Sequence, residues 1–276
     1  MTASAEISHL ERRARIVPPA ENQAPPAEAP PLNSGTAGVV VSKVGQLRSQ
    51  YRDQGRMFAR EMAKHVNSRQ AGQATAYVYE ETFGYEDRIH FLIHLHSLDT
   101  YYAMVEMGDQ DRAYRASVAS ERVDTADGAG AWDRLFLDGS MTSTVLLPRS
   151  STAGSGAAET LHSGSAGIVV HRSAQIGYGF RAEALELADE LVAALSSTFA
   201  GQASAVLYEE AFGAAGRLHW LIHLRDLTSY RLLVAADVLA MQGRPGTFVE
   251  GSVVDVALTP HHWGLYATRA GDSPAG

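Results

Sequence analysis

The sequence has no cysteine, which excludes disulfides and thiolate metal sites. Lysine is almost as scarce: Lys43 and Lys64 are the only two, against 21 arginines. With the many alanines and glycines, this reads as the mark of a GC-rich gene rather than of a function. No run of about 18 apolar residues occurs, so no membrane-spanning helix is expected. The N-terminus lacks a signal-peptide core, and a cytoplasmic location is expected. Neither a G-x-G-x-x-G turn nor a phosphate-binding loop is present, which argues against a nucleotide. Excess positive charge is missing too. The net charge is −8 and the isoelectric point lies near 5.7, which speaks against a nucleic-acid surface. What remains is a chain of 276 residues, 45% apolar and 20% charged, ordinary for a globular protein with room for two domains.

The strongest positive signal is an internal repeat. Residues Ala71 to Tyr101 return 129 residues later as Ala200 to Tyr230 with no gap, and 18 of the 31 positions are identical. A period of that length fits a duplicated domain and is too long for a solenoid. Along the chain, residues 1–36 are rich in Pro, Ala and Glu and predict a disordered tail that adds nothing to a core. Residues 37–149 form the first repeat. A strand is predicted over Gly38 to Val44, a helix over Tyr51 to Ser68, and strands over Ala74 to Phe83 and Ile89 to His96. The two strands are joined by a four-residue turn, Gly84 to Asp87. A helix follows from Leu98 to about Ser120, with Tyr101, Met104, Val105 and Gly108 on one face. A glycine-rich loop over Asp124 to Ala131 and a strand over Met141 to Pro148 end the repeat. Residues 150–165 read as a linker. Residues 166–269 repeat the order, with the last strand placed at His261 to Thr268, and residues 270–276 read as a tail.

Each copy is thus β-α-β-β-α-β, the ferredoxin-like order, and the fold class is α+β. The repeated Tyr-Glu-Glu…Phe-Gly…Arg…His…Leu-Ile-His-Leu block resembles the central hairpin of the dimeric α+β barrel superfamily. That group includes NIPSNAP-like proteins, small antibiotic-biosynthesis monooxygenases and aromatic polyketide cyclases. The resemblance implies two ferredoxin-like units closed into one pseudo-dimeric barrel within a single chain. It limits chemistry only weakly, because the fold hosts oxygenases, isomerases, haem enzymes and proteins of no known activity.

Strand parity sorts the hairpin side chains. Ile89, Phe91, Ile93 and Leu95 share an apolar face that belongs under helices. His90, Leu92 and His94 share the other, matched by His219, Leu221 and His223, and in such a barrel this face lines the interior. Tyr77, Tyr79 and Glu81 point the same way, as do Tyr208 and Glu210. With Phe83 opposite Arg88 across the turn, Glu81 falls opposite His90 and Glu210 opposite His219. Two carboxylate–imidazole dyads result, in which the carboxylate would raise the histidine pKa. These residues are the candidates for acid/base catalysis: His90, His94, Glu81, His219, His223 and Glu210. Tyr77, Tyr79, Tyr208, Leu92 and Leu221 are the candidates for substrate contact. The plainer reading stands beside this one, since paired His and Glu inside a barrel also serve simply to satisfy buried polar groups. Glu80 and Glu209 are expected in hairpin-end salt bridges with Arg88 and Arg217.

A metal is not expected. His90 and His94 lie about 13 Å apart along a strand, and the neighbour His96 of the first copy is Arg225 in the second. No cofactor is expected either. The function inferred is a small-molecule enzyme of specialised metabolism, a cyclase, isomerase or cofactor-free monooxygenase, working on an apolar or aromatic polyketide-like substrate inside the barrel. The alternative is a non-catalytic ligand-binding or scaffold protein. The expected partner is a small molecule, not nucleic acid or membrane, with homo-oligomer formation left open.

Overall fold

The computed structural model describes residues 18–24, 29–123, 130–149, 160–241, 243 and 245–261. A short helix α1 (Pro19–Asn22) precedes the first repeat, which contains β1 (Val39–Gln46), α2 (Arg52–Arg69), β2 (Ala74–Glu81), β3 (Arg88–Leu95), α3 (Leu98–Gln110), α4 (Arg112–Ala119) and β4 (Thr142–Pro148). The second contains β5 (Ile168–Gln175), α5 (Arg181–Thr198), β6 (Ala203–Ala211), β7 (Arg217–Leu224), α6 (Leu227–Ala235) and β8 (Val254–Pro260). The eight strands close into one antiparallel barrel in the order β1-β3-β2-β8-β5-β7-β6-β4. Each repeat supplies four strands in ferredoxin-like order. The seams between repeats are β2 with β8 and β4 with β6.

Alternation along the strands builds three apolar clusters. Outward residues Val39, Val41, Ala76, Val78, Ile89, Phe91, Ile93 and Leu95 pack under the first repeat's helices with Phe58, Met62 and Val66. Ile168, Val170, Leu207, Leu218, Trp220 and Ile222 do the same in the second repeat. Inward residues Val40, Tyr77, Tyr79, Leu92, Leu146, Val169, Tyr208, Leu221 and Leu258 fill the barrel. Closing the sheet leaves no free edge in either repeat.

Several expectations need correction. The hairpin loop between β2 and β3 runs over the six residues Thr82 to Asp87, not four. The last residues of β2 pair with β8 on the strand's other edge, with Glu81 opposite Leu258 and the Thr82 N–H donating to the Ala257 carbonyl at 2.8 Å. The β2–β3 register is therefore shifted by two: Tyr79 lies opposite His90 and Tyr77 opposite Leu92. Phe83, expected opposite Arg88, lies in the hairpin loop and is 67% exposed. The helix expected to run unbroken from Leu98 stops at Gln110. Asp111 takes an extended ψ of 109°, and its carboxylate accepts from the Ala113 and Tyr114 N–H groups to start α4, a cap that restarts a helix in a new direction. The last strand is Val254–Pro260, ahead of the expected one, whose residues after His261 lie outside those described. The same holds for the tail at 270–276 and for residues 124–129 of the glycine-rich loop.

The supposed tail and linker are also corrected in part. Gln23 is buried, and its side chain accepts from the Val78 N–H at 2.7 Å and donates to the Val78 carbonyl at 2.9 Å. It patches strand β2 just where pairing with β8 ends. Leu32 and Ser34 are buried at the barrel's end, as is Ser163 from the segment read as linker.

Candidate functional site

One end of the barrel is closed by a polar knot with two-fold pseudosymmetry. Ser34 and Ser163, 129 residues apart, exchange hydrogen bonds: each backbone N–H donates to the other's hydroxyl, at 3.0 and 3.1 Å. Each hydroxyl then meets the histidine of the opposite repeat, Ser34 with His223 Nε2 at 3.0 Å and Ser163 with His94 Nε2 at 2.8 Å. The Tyr79 hydroxyl donates to the Ser163 carbonyl at 2.8 Å, and that of Tyr208 to the Ser34 carbonyl at 3.2 Å. His94 and His223 have no exposed surface. Burial drives the His94 imidazole down to about 4 and that of His223 down to about 3, so both stay neutral near pH 7. A neutral, enclosed imidazole that is hydrogen-bonded to a serine holds the loops that cap the barrel.

The dyads lie beyond the middle layer of Leu92 and Leu221. Glu81 Oε2 stands 3.4 Å from His90 Nε2 and Glu210 Oε2 stands 3.0 Å from His219 Nε2. The pairs form despite the shifted register because the glutamates reach diagonally to the next residue on the same face. Each glutamate also ties down its own hairpin loop, Glu81 accepting from the Tyr85 N–H and Glu210 from that of Ala214. Burial works to raise the Glu81 carboxyl, but the His90 contact, the Tyr85 N–H and the charge of Arg88 together hold it below the usual range. The expected upward shift of the histidine is not found for His219. Burial outweighs Glu210 and lowers it. His219 Nδ1 also meets His171 Nε2 at 3.0 Å, and His171 is pushed far down by burial and by the neighbouring histidines. Sequence reasoning missed His171, whose counterpart in the first repeat is Ser42. His90 Nδ1 is buried with no hydrogen-bond partner. The expected Glu80–Arg88 bridge does not form. Glu80 pairs with Arg56, and Glu209 pairs with Arg149 and Arg181. Among the described residues, no cluster of three or more His, Asp or Glu side chains is arranged to hold a metal.

A cavity of about 310 Å³ lies on the other side of the sheet, under the helices of the first repeat. Its floor is Ala76, Phe91, Ile93 and Lys43 of the strands, and its walls come from α2, α3, α4 and the turn carrying Trp132. The broken helix shapes it. Tyr101, Met104, Val105 and Gly108 of α3 form one wall, and Tyr114 and Val118 of α4 form the next. No histidine and none of the expected catalytic residues lines it. Lys43 is its one lining residue with a formal charge, and burial lowers its pKa.

A family model described as a family of unknown function, DUF6039, matches residues 9–160 and 150–245, covering both repeats. The chain belongs to the DUF6039 family. No curated protein matches it. Solved structures resemble this DUF6039 chain in fold at very low identity. A candidate monooxygenase from Fusobacterium nucleatum is similar with a TM-score of 0.58 and 7% identity, over 82% of this chain and 93% of that one. A candidate monooxygenase from Lactobacillus acidophilus gives 0.55 and 6%, over 81% and 93%. An anthrone oxidase-like protein gives 0.51 and 11%, over 84% and 95%. These likenesses establish the dimeric α+β barrel fold for the DUF6039 chain, as the sequence resemblance implied.

Proposed function

We propose that the protein is a small-molecule enzyme that takes an apolar, aromatic-sized substrate between the sheet and helices of its first repeat, rather than inside the barrel. The single observation that carries this reading is the cavity of about 310 Å³, lined by Phe58, Phe91, Tyr101, Trp132 and three methionines. That volume and lining suit a ligand of two or three fused rings. The fold relatives support an oxidative reaction by their names, a candidate monooxygenase and an anthrone oxidase-like protein; an anthrone is itself a three-ring aromatic ketone. In this reading the buried Glu–His pairs and the Ser–His knot serve the fold.

The test is titration with an aromatic probe, anthrone or a naphthol, followed through Trp132 emission and then by product analysis. Met104→Trp, which fills the cavity from α3, is expected to abolish binding with little change in melting temperature. Glu81→Gln is expected to leave binding intact. Binding lost in Glu81→Gln and kept in Met104→Trp would return the site to the barrel interior. Binding without any product would leave a carrier or sensor in place of an enzyme.

A further inference from the structure

The two repeats treat one position differently. Residue 43 on β1 corresponds to residue 172 on β5, and both sit on the outward face beneath the helices. In the second repeat Arg172 is opposite Asp255 on β8. The two form a bidentate ion pair, Nε to Oδ1 at 2.7 Å and Nη2 to Oδ2 at 2.8 Å, and the Leu239 carbonyl takes the remaining nitrogen. Trp220 and Leu239 fill the surrounding space. In the first repeat the residue opposite Lys43 is Ser143. The carboxylate is missing, Phe91 stands where the second repeat has Trp220, and the cavity opens at that point. The Lys43 ammonium makes no hydrogen bond or ion pair with any described residue.

A cation half-buried in an apolar cavity without a counter-charge is costly unless something supplies one. We propose that the cavity selects ligands carrying an acidic group, a carboxylate or an acidic phenol, which pairs with Lys43 while the aromatic body lies against Phe91, Trp132 and the methionines. This rests on the reading of the cavity as a ligand site and adds the ligand's charge. The ligand would occupy the place that Asp255 holds in the second repeat. Burial that lowers the Lys43 pKa is relieved when an anion binds, because an opposite charge favours the ammonium.

The experiment compares 1-naphthylacetate with 1-naphthylacetamide, which share a ring system and differ in charge, on the full chain and on Lys43→Met and Lys43→Arg. The expected result is a preference for the acid of about tenfold or more in the natural protein. It should vanish in Lys43→Met while the amide still binds, and be largely kept in Lys43→Arg. Equal affinity for acid and amide, or a preference that survives in Lys43→Met, would overturn the proposal and leave the cavity standing as a neutral-ligand site. Binding of neither probe would overturn the cavity reading itself and the proposal with it.

Discussion

Lys43 and Arg172 occupy equivalent sites, and their substitution should have opposite consequences for stability. Lys43→Met removes a partly desolvated charge that no described residue pairs and is expected to stabilise the protein by about 1–2 kcal/mol. Asp255→Asn strands the Arg172 guanidinium, which is 4% exposed, and is expected to cost about 3 kcal/mol. Urea unfolding of the two variants checks both signs; a loss of stability in Lys43→Met would show that its ammonium already has a partner. The buried histidines make a second residue-level prediction. His94 and His223 titrate at about 4 and about 3 when folded, below the ordinary value of about 6.5 for an unfolded chain. The unfolded chain therefore takes up protons first as pH falls. Stability is intact above about pH 6.5 and declines through the range down to the folded values, by about 2 kcal/mol per histidine between pH 7 and pH 5. Denaturant midpoints at those two pH values should differ clearly in the natural protein and less in a His94→Gln, His223→Gln variant, in which His171 and His219, also lowered by burial, keep the remainder of the dependence. An equally steep decline in that variant would place the proton uptake elsewhere.

At the level of the element, Gln23 does the work of a missing stretch of strand by holding both backbone groups of Val78. Gln23→Ala leaves the buried Val78 N–H without its partner, while the Val78 carbonyl keeps the His261 N–H, and is expected to cost about 1–3 kcal/mol, measurable as a lower melting temperature. An unchanged value would return this segment to the status of a loose tail. The sequence made the two faces of β3 legible, because a shift of two residues in register preserves side-chain parity while changing every opposed pair. That is why Phe91 and His90 fell on the right sides although Tyr79, and not Glu81, lies opposite His90. The loop length was not legible, because the end of β2 is held on its other edge by β8, a strand almost 180 residues away, and no local pattern encodes that partner. The capping loops carried a signal that composition hid. Leu32 to Val41 reads LNSGTAGVVV and Leu161 to Val170 reads LHSGSAGIVV, with seven of ten positions identical. Gly38 and Gly167 within it face the backbone so closely that a Cβ would stand 2.3 and 2.2 Å from the His96 and Arg225 carbonyl oxygens. The cavity-lining face of α3 was visible as helical periodicity in Tyr101, Met104, Val105 and Gly108. The emptiness beneath it was not, because a void depends on how neighbours pack rather than on any one residue.

For the whole molecule, closure of the barrel predicts that the halves depend on each other. Residues 1–150 and 160–276 produced separately should each expose the inward face and two unpaired strand edges, and should regain dispersed NMR spectra only when mixed. A well-dispersed spectrum from either half alone would refute this. The reciprocal contact of Ser34 and Ser163 makes the same point at the barrel's end, since each repeat's histidine is held by a loop from the other. In a homodimer of single repeats, every substitution would appear twice and both halves would stay alike. Joining the repeats in one polypeptide removes that constraint. One half is then free to close its sub-helical space with Trp220 and a neutralised arginine, acting as a rigid buttress. The other can keep an open chamber with a lysine that no described residue neutralises, so the molecule becomes a heterodimer encoded by a single gene.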